Sequence, residues 1–486
     1  MMKRTLRTCL LGGIAIFGVA QIAGAETLRD AMMKAYQTNP TLNAARASQR
    51  ANDETSPIAR ARGLPTLNGT VTYNENLKRS ANSFGSPKRI VSTSLNLAIP
   101  LYEGGSVKNS IAAAEQRIAA GQASLRDIES TLFSQTVAAY MDVIRDEAIV
   151  GLNQKQVKVL SVNLEATRDR FEVGDLTRTD IAQSESRLAT ADSQLRSGEA
   201  QLIVSREQYI RLVGSAPGEL APPPPLPNLP ASPEIAVSIA LEKNPDLLAA
   251  KKTAQAAKLD INVARAARLP RLSAFASADS SNFLGSLASR PGLPPFDQKQ
   301  LTSAAGVQAT VPLFQGGGPS AQIRQAQARS SQALEQIIEA ERSVIAQTRS
   351  AYASWRSSNA VIASSETAVS AASLSLEGVR AENSVGNRSI LDILNAEQEL
   401  LNAQVQLVSA RRNAYVAGFT LLAAMGQAEA RDLGLDGGAL YDPQLNADRV
   451  RSRIWDWSND PEQGTVSTQT IDTPAQNPAL AAPLGK

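Results

Sequence analysis

The sequence predicts a mainly α-helical protein with a small amount of β-structure, built from one unit that is written twice. Three observations support this fold class. Short motifs recur along the chain at a nearly constant displacement. Two long segments without proline carry good helix formers at helical spacing. Four short segments alternate between apolar and polar residues, as half-buried strands do. Each copy should therefore contain a helix, two strands, a long helix, a turn and a shorter helix.

The composition excludes several classes of function. The chain has 486 residues, no histidine and a single cysteine, Cys9. Histidine is the commonest general base and metal ligand, and thiolates are the other common zinc ligands. The 49 basic and 46 acidic residues leave a net charge of only +3, whereas nucleic-acid binding requires a clustered basic excess. We therefore expect no metal, no cofactor and no nucleic-acid partner, and an enzyme is a distant alternative.

The beginning of the chain predicts a secretory signal peptide over residues 1–25. Its three parts are a basic start, an apolar run and a small-residue cleavage site. They are formed by Lys3, Arg4 and Arg7, by Leu10 to Ala20, and by Ala23-Gly24-Ala25. Cys9 precedes the apolar run and should be removed with the leader. No later segment has the roughly 18 consecutive apolar residues of a transmembrane helix, so any membrane crossing should use strands.

Two copies of one unit follow the leader. Residues 39–42 (Asn-Pro-Thr-Leu) recur as residues 244–247 (Asn-Pro-Asp-Leu), a displacement of 205 positions. Residues 99–105 (Ile-Pro-Leu-Tyr-Glu-Gly-Gly) recur as residues 311–317 (Val-Pro-Leu-Phe-Gln-Gly-Gly), a displacement of 212. The second copy thus has seven extra residues, expected within 283–297. The displacement of 212 then holds for Tyr140 and Tyr352, Gly174 and Gly386, Asp180 and Asp392, and Gly214 and Gly426.

This duplication divides the chain into segments. The first repeat covers residues 26–214 and the second covers residues 234–426. A proline-dense linker over residues 215–233 separates them and should be extended and semi-rigid. Residues 427–460 follow the second repeat. The last segment, residues 461–486, is polar and rich in proline, threonine and glutamine, which predicts disorder.

The strand pairs are similar in the two copies. Alternation is clearest in residues 91–101 and 305–313, and weaker in their partners, residues 67–76 and 272–282. Each segment has about 10 residues, the length of a tilted strand that crosses a bilayer. The alternative is a soluble four-stranded sheet; the leader and the polar loops favour the membrane.

Long helices are predicted for residues 107–173 and 320–385, with shorter helices over residues 179–212 and 389–425. About 65 residues of continuous helix would extend on the order of 100 Å. Such rods need neighbours, and the alanine and serine faces of the four segments allow close packing. We therefore expect a coiled-coil arrangement in which most side chains only serve packing.

Two turns join the long helices to the shorter ones. Gly174 and Gly386 follow the long helices and can adopt the left-handed conformation of a C-terminal cap. Thr179 and Ser389 are the expected N-caps of the returning helices. Each turn should therefore be the tip of an antiparallel helical hairpin.

With these features the chain resembles the TolC family of outer-membrane efflux and type I secretion channels. The shared motifs are the Pro-Leu-Tyr/Phe-x-Gly-Gly junctions between strand and helix, and the Val-Gly tips, followed in the second copy by residues 392–397 (Asp-Ile-Leu-Asn-Ala-Glu). The resemblance implies a homotrimer in the outer membrane. Each chain would give four strands to a 12-stranded β-barrel that continues into a periplasmic α-helical tunnel. Four strands cannot close a barrel alone, and open strand edges are not tolerated in lipid.

The resemblance also implies a function. The protein would be the passive exit duct of a tripartite efflux pump or a type I secretion system, without enzymatic activity. It would receive substrates from an inner-membrane ABC or RND-type transporter through a periplasmic adaptor. The adaptor would dock on the tips, at Val173, Gly174, Asp175, Leu176, Val385, Gly386 and Asn387. The alternative is a structural or adhesive trimeric coiled coil without a pore.

A periplasmic gate is implied at the same tips. Thr179 and Asp180 would bind Arg388 in a closing network, and Asp392 would form an acidic ring at the constriction. Asn383 replaces a tyrosine of the family pattern, and Asn395 replaces the acid of a second ring. The alternative for both aspartates is helix capping, since an acid in the first turn interacts favourably with the helix dipole. The two roles can coexist.

The last implied feature is an equatorial belt. Trp455 and Trp457 lie in the segment 427–460, after the second repeat. The resemblance places this segment on the outside of the tunnel, about midway along it, where we expect both tryptophans to pack.

Overall fold

The computed structural model describes residues 25–79, 86–227, 229–287, 292, 294–435 and 440–480. The predicted signal peptide, including Cys9, lies outside the described residues except for its last residue, Ala25.

The two halves of the chain have the same order of elements. The first half contains α1 (Leu28–Thr38), α2 (Pro40–Asp53), α3 (Thr55–Ala61), β1 (Thr66–Glu75), β2 (Arg89–Tyr102), α4 (Ser106–Glu172) and α5 (Arg178–Val213). The second half contains α6 (Pro233–Lys243), α7 (Pro245–Ala266), β3 (Arg271–Asn282), β4 (Lys299–Thr310), α8 (Gly318–Ser384) and α9 (Ile390–Ala424), and α10 (Pro443–Arg451) follows. Helix α7 occupies the place of α2 and α3 together.

The long helices agree with the sequence prediction. Helices α4 and α8 each have 67 residues, so each is about 100 Å long. Helix α5 packs along α4, and α9 packs along α8. The residues before both long helices, Gly105 and Gly317, have φ angles of 81° and 79°. This left-handed conformation turns the chain sharply from strand to helix, and only glycine adopts it without strain.

The sheet is antiparallel, with the strand order β1-β2-β3-β4. Its register aligns Leu67 with Leu97, Leu97 with Ala276, and Ala276 with Ala305. Because side chains alternate along a strand, this register collects the apolar residues on one face and the polar residues on the other. Phe275 is on the polar face, where its ring covers Gly306. The alternation in β3 is weak for this reason.

The predicted bounds of the fourth strand are wrong. Strand β4 begins at Lys299 and ends at Thr310, so Val311 and Leu313 do not belong to it. Its last pair joins Thr310 to Arg271, the first residue of β3. Pro312 cannot donate a hydrogen bond to extend this ladder. The seven extra residues of the second copy lie in or next to the β3–β4 connection, part of which is outside the described residues.

The main hydrophobic core lies where both halves meet around the middle of α4. Its largest fully buried side chains include Tyr140, Tyr209 and Phe133. The Tyr140 hydroxyl donates to the Glu26 carbonyl at 2.8 Å. The equivalent hydroxyl of Tyr352 donates to the Ala231 carbonyl at 2.7 Å. Equivalent tyrosines of the two repeats thus hold an extended segment against the helices in the same way.

The C-terminal segment differs from two expectations. Residues 461–480 form no helix or strand, but they lie along the helices instead of extending as a free tail. The buried Arg206 donates to the Asn477 carbonyl at 2.6 Å, and Leu480 packs against the main core. The expected packing of Trp455 and Trp457 is not observed, since they remain 72% and 83% exposed.

Among the described residues, none of the helices has both the length and the apolar character that membrane crossing requires.

Candidate functional site: the two hairpin tips

Both hairpin tips end the long helix in the same way. Gly174 has a φ of 88°; its N–H donates to the Phe171 carbonyl, and the Asp175 N–H donates to the Arg170 carbonyl. This pair of bonds is the Schellman motif, which satisfies carbonyls left free at a helix end. The second tip repeats it with Gly386, whose φ is 83°. The predicted glycine caps are therefore confirmed in geometry.

The returning helices begin with capping boxes. The Asp180 N–H donates to Thr177 Oγ1 at 3.4 Å, and Asp180 Oδ2 accepts from the Thr177 N–H at 2.9 Å. The second tip has the same pair between Ser389 and Asp392, at 3.3 and 2.9 Å. The expected N-cap at Ser389 is thus correct, whereas the one at Thr179 is wrong. Thr179 has a helical position in the first turn, and the cap requires a residue three positions before the acid.

The two aspartates are ionised acids on the outside of the tips. Hydrogen bonds from the Thr177 N–H and hydroxyl hold the pKa of Asp180 below its ordinary value. Those from the Ser389 hydroxyl and N–H do the same for Asp392. The cause in both cases is that the bonds stabilise the charged form. Each tip therefore presents a capping carboxylate that stays negative at neutral and mildly acidic pH.

Arg388 is held within its own tip. Its Nε donates to Glu382 Oε2 at 2.7 Å, and its carbonyl accepts from Asn383 Nδ2 at 2.7 Å. The ion pair with Glu382 raises the pKa of Arg388. Within the described part of this single chain, no hydrogen bond or ion pair joins Arg388 to Thr179 or Asp180. The sequence did not indicate Glu382 as a partner, although its position six residues before Arg388 spans the turn.

A buried carboxylate behind the second tip was also missed. Glu397, in α9, is only 4% exposed. Its Oε1 accepts from Arg380 of α8 at 3.0 Å, and both of its oxygens lie 3.3 Å from Asn163 Nδ2 of α4. One side chain thus links three helices about two turns after the beginning of α9. An acid on a helix face otherwise occupied by leucine and alanine was the available signal.

Asn395 also has a structural partner. Its Oδ1 accepts from Arg187 of α5 at 2.7 Å. This bond joins the two shorter helices of the hairpins, α5 and α9. An amide therefore occupies the place of the acid that the family pattern has, and it can still accept a hydrogen bond from arginine.

The remaining tip residues form the outer surface of the hairpins. The residues from Val173 to Asp175 and from Val385 to Asn387 are exposed, and Leu176 is half-buried. Val173 and Val385 each present a large apolar side chain to the surroundings. The described residues contain no cluster of three or more acidic or cysteine side chains that could bind a metal ion.

Two long helices that end in matching capped tips, with a four-stranded sheet at their other ends, define a duplicated channel-type subunit. The family model for outer membrane efflux proteins matches residues 31–215 and 236–427. The chain belongs to the outer membrane efflux protein family. This result confirms the family recognised from the sequence, the predicted outer-membrane location and the predicted role in export.

Similar proteins with known names support this membership. The outer membrane efflux protein BepC of Brucella suis biovar 1 is 33% identical over 91% of this chain and 94% of its own length. The outer membrane protein TolC of Escherichia coli K12 is 27% identical over 96% of this chain and 94% of its own length. The alkaline protease secretion protein AprF of Pseudomonas aeruginosa is 29% identical over 90% of this chain and 91% of its own length.

Solved structures confirm the fold. CusC, whose structures concern folding and transmembrane channel formation, superposes with a TM-score of 0.71 at 20% identity, over 84% of this chain and 96% of its own. The outer membrane protein VceC of Vibrio cholerae superposes with a TM-score of 0.69 at 22% identity, over 82% of this chain and 96% of its own.

Proposed function

We propose that the protein is a passive exit duct in the outer membrane, serving an efflux pump or a type I secretion system. One observation carries this proposal. Helices of about 100 Å connect a sheet with an apolar face to capped tips, so one chain extends from the membrane far into the periplasm. The relatives include an efflux protein and a protease secretion protein, which supports both kinds of cargo. The duct itself needs no catalytic activity.

The sheet favours a homotrimer. Strands β1 and β4 are the edges of the described sheet and have one unpaired side each. The apolar face carries exposed side chains such as Leu67, Val71 and Leu301. An apolar face suits lipid, but open edges in lipid would leave backbone groups unsatisfied. Three copies joined edge to edge would close a barrel of 12 strands, above the eight of the smallest bacterial barrels.

The tips would form the periplasmic gate of this trimer. We propose that Thr179 and Asp180 bind Arg388 of a neighbouring copy, and that three Asp392 carboxylates form an acidic ring. Two features support this. The guanidinium of Arg388 is half-exposed in its pair with Glu382, so it can exchange partners. Both aspartates are ionised at the tip surface, and the residues near them are held by tight caps.

Export would depend on two partners. A periplasmic adaptor would dock on the exposed tip surface from Val173 to Leu176 and from Val385 to Asn387. An inner-membrane ABC or RND-type transporter would supply the energy.

Deleting the gene tests the proposed function. We expect deletion cells to become sensitive to toxic compounds or to lose the export of a secreted protein, and the wild-type gene to restore the phenotype. A gene encoding a chain with both tips deleted should reach the outer membrane but fail to restore it. Unchanged resistance and unchanged secretion after deletion would contradict the proposal.

A further inference from the structure

The C-terminal segment approaches the sheet along the outside of the helices. Helix α10 runs in the same direction as α2 and α3, because Asn446 donates to Asp53 at 2.7 Å and the Arg451 carbonyl accepts from Arg60 at 2.9 Å. Arg60 lies in the last turn of α3, just before β1 begins. Arg451 also pairs with Glu115 of α4 at 2.9 Å. Helix α10 therefore ends close to the sheet.

Beyond α10 the chain turns and runs back. Asp460 binds Arg449 and Arg453 at 2.7 Å each, which clamps the two sides of the turn together. Farther along, Gln463 accepts from Arg50 of α2 at 2.9 Å. Ser467 then accepts from Asn43, an earlier residue of the same helix, at 3.0 Å. Since α2 runs toward the sheet, the returning chain moves away from it. Residues 452–459, here called the tryptophan loop, are thus the part of this segment nearest to the sheet.

The loop presents large apolar side chains to the surroundings. Ile454 is 68% exposed, and the neighbouring Trp455 and Trp457 are 72% and 83% exposed. Such a concentration of exposed aromatic and aliphatic surface marks an interaction site. Tryptophan combines an apolar ring system with a polar N–H, and it is enriched where membrane meets water.

The position of the loop fits a lipid surface. Glu115, which holds the end of α10, lies nine residues after Ser106, the first residue of α4. It is therefore about 14 Å from the end of the sheet along the helix. The loop continues beyond Arg451 in the same direction and shortens this distance. The headgroup region of a bilayer adds several ångströms to the hydrocarbon core on each side.

We propose that the tryptophan loop inserts Trp455 and Trp457 into the headgroup region of the inner leaflet of the outer membrane. It would be a second membrane contact, outside the sheet, that fixes the depth of the channel in the bilayer. The occupant is phospholipid, bound mainly through aromatic rings, because the arginines around the loop are already paired with Asp460 and Glu115. Binding should therefore depend little on salt. The inference rests on the proposed membrane placement of the sheet.

Fluorescence quenching tests this loop directly, because the chain has only three tryptophans. Trp355 lies in α8, 37 residues beyond its first residue and so about 55 Å from the sheet. We would reconstitute the full-length Trp355→Phe variant in phosphatidylcholine vesicles with bromine either near the headgroups or deep in the acyl chains. We expect strong loss of fluorescence with shallow bromine and less with deep bromine. The matched control, Trp455→Phe with Trp457→Phe, keeps only Trp355 and should show no loss with either lipid.

Three results would overturn the proposal. Vesicles that contain the protein and conduct ions, yet show no quenching of the loop, would refute the loop contact alone. Loop tryptophans that are shielded from acrylamide in the vesicles but quenched by neither brominated lipid would assign the surface to a neighbouring copy of the chain. Failure of the protein to float with vesicles would overturn the membrane placement of the sheet and the loop contact together.

Discussion

At the residue scale, each tip aspartate uses one oxygen for the helix cap. Oδ2 of Asp180 accepts from the Thr177 N–H and hydroxyl, and Oδ2 of Asp392 accepts from those of Ser389. Among the described residues, no hydrogen bond to the Oδ1 of either acid is present. A capping acid can therefore also face a pore, and its low pKa keeps it charged there. Capping and gating are compatible functions of one carboxylate.

Replacing Asp392 should remove the block of the channel by multivalent cations. In the proposed trimer the three Asp392 carboxylates would form a ring that attracts divalent and trivalent cations from the periplasmic side. We expect Asp392→Ala to abolish the block and Asp180→Ala, which removes the equivalent cap acid of the first tip, to retain it. Planar-bilayer current with added cation measures the effect. Equal block in Asp392→Ala and in the wild type would contradict the ring.

The same ring should lose its effect at low pH. Hydrogen bonds from Ser389 lower the pKa of Asp392, so its charge persists below the ordinary value of about 3.9. The folded pKa is the lower one, so the cap contributes stability above the unfolded pKa and loses it as pH falls through the folded pKa. The charge that attracts cations disappears in the same range.

The N-cap residues give a second test at this scale. Thr177→Ala and Ser389→Ala should each destabilise the first turn of their helix by about 0.5–2 kcal/mol, the usual effect of removing a cap hydroxyl. Thr190→Ala is the matched control and should change little at the tips, because its hydroxyl donates to the Ser186 carbonyl within α5 and takes no part in the cap. Hydrogen exchange at the tips measures the local stability. Faster exchange at the tips in Thr190→Ala than in Thr177→Ala would refute the assignment.

At the element scale, the buried Glu397 connects α4, α8 and α9 through Asn163 and Arg380. The two ends of its ion pair differ in environment, since the Arg380 side chain is half-exposed and that of Glu397 is almost fully buried. Removing the arginine leaves a buried charge without a cation, whereas removing the acid leaves an arginine that water can solvate. The link should therefore respond unequally to mutation.

Arg380→Ala should destabilise the hairpin more than Glu397→Gln does. We expect a loss of about 1–3 kcal/mol for Arg380→Ala, the range for a buried polar group that loses its partner. Arg411→Ala, which removes an exposed pair with Glu366 of α8, is the matched control and should cost less than about 1 kcal/mol. Thermal melting of the purified variants ranks these losses of stability. A smaller effect for Arg380→Ala than for Arg411→Ala would contradict the link.

Most elements were predictable because their signals are local and repeated. The bounds of α4 and α8 lie within two residues of those predicted, since glycine marks both ends of each helix and neither helix contains proline beyond Pro319 in the first turn of α8. Other features depend on contacts between distant residues. The end of β4 follows from its pairing with β3, the partner of Arg388 lies across a turn, and the burial of Glu397 requires three helices. Residues 461–480 are held in place by contacts with Arg206 and with the main core. The composition of the segment itself does not indicate these contacts.

At the scale of the whole molecule, the trimer predicts a specific contact between β1 of one copy and β4 of the next. Within one chain these strands are separated by two others, about 14 Å apart, which is too far for a disulfide. Apart from Cys9 in the predicted leader, the sequence has no cysteine to interfere.

A cysteine in each edge strand should therefore link neighbouring copies. We expect Thr70→Cys, combined in turn with a cysteine at successive positions of β4, to give a covalent trimer at one register. The controls are the variants with a single cysteine, either Thr70→Cys alone or one β4 cysteine alone. Neither should give covalent dimers or trimers between β1 and β4. Denaturing gel electrophoresis after oxidation shows the product. A scan of all β4 positions that yields only monomers would contradict the closed barrel.

The single-channel current of the purified protein in planar bilayers tests the exit duct most directly. We predict a small conductance for the wild type and a larger one for Arg388→Ser and for Asp180→Ala, because each removes a contact that would hold the tips closed. Arg178→Ser, an exposed arginine of the first tip outside the proposed network, should conduct as the wild type does. Absence of any current from the double variant Asp180→Ala with Arg388→Ser, in protein inserted in the membrane, would contradict the account.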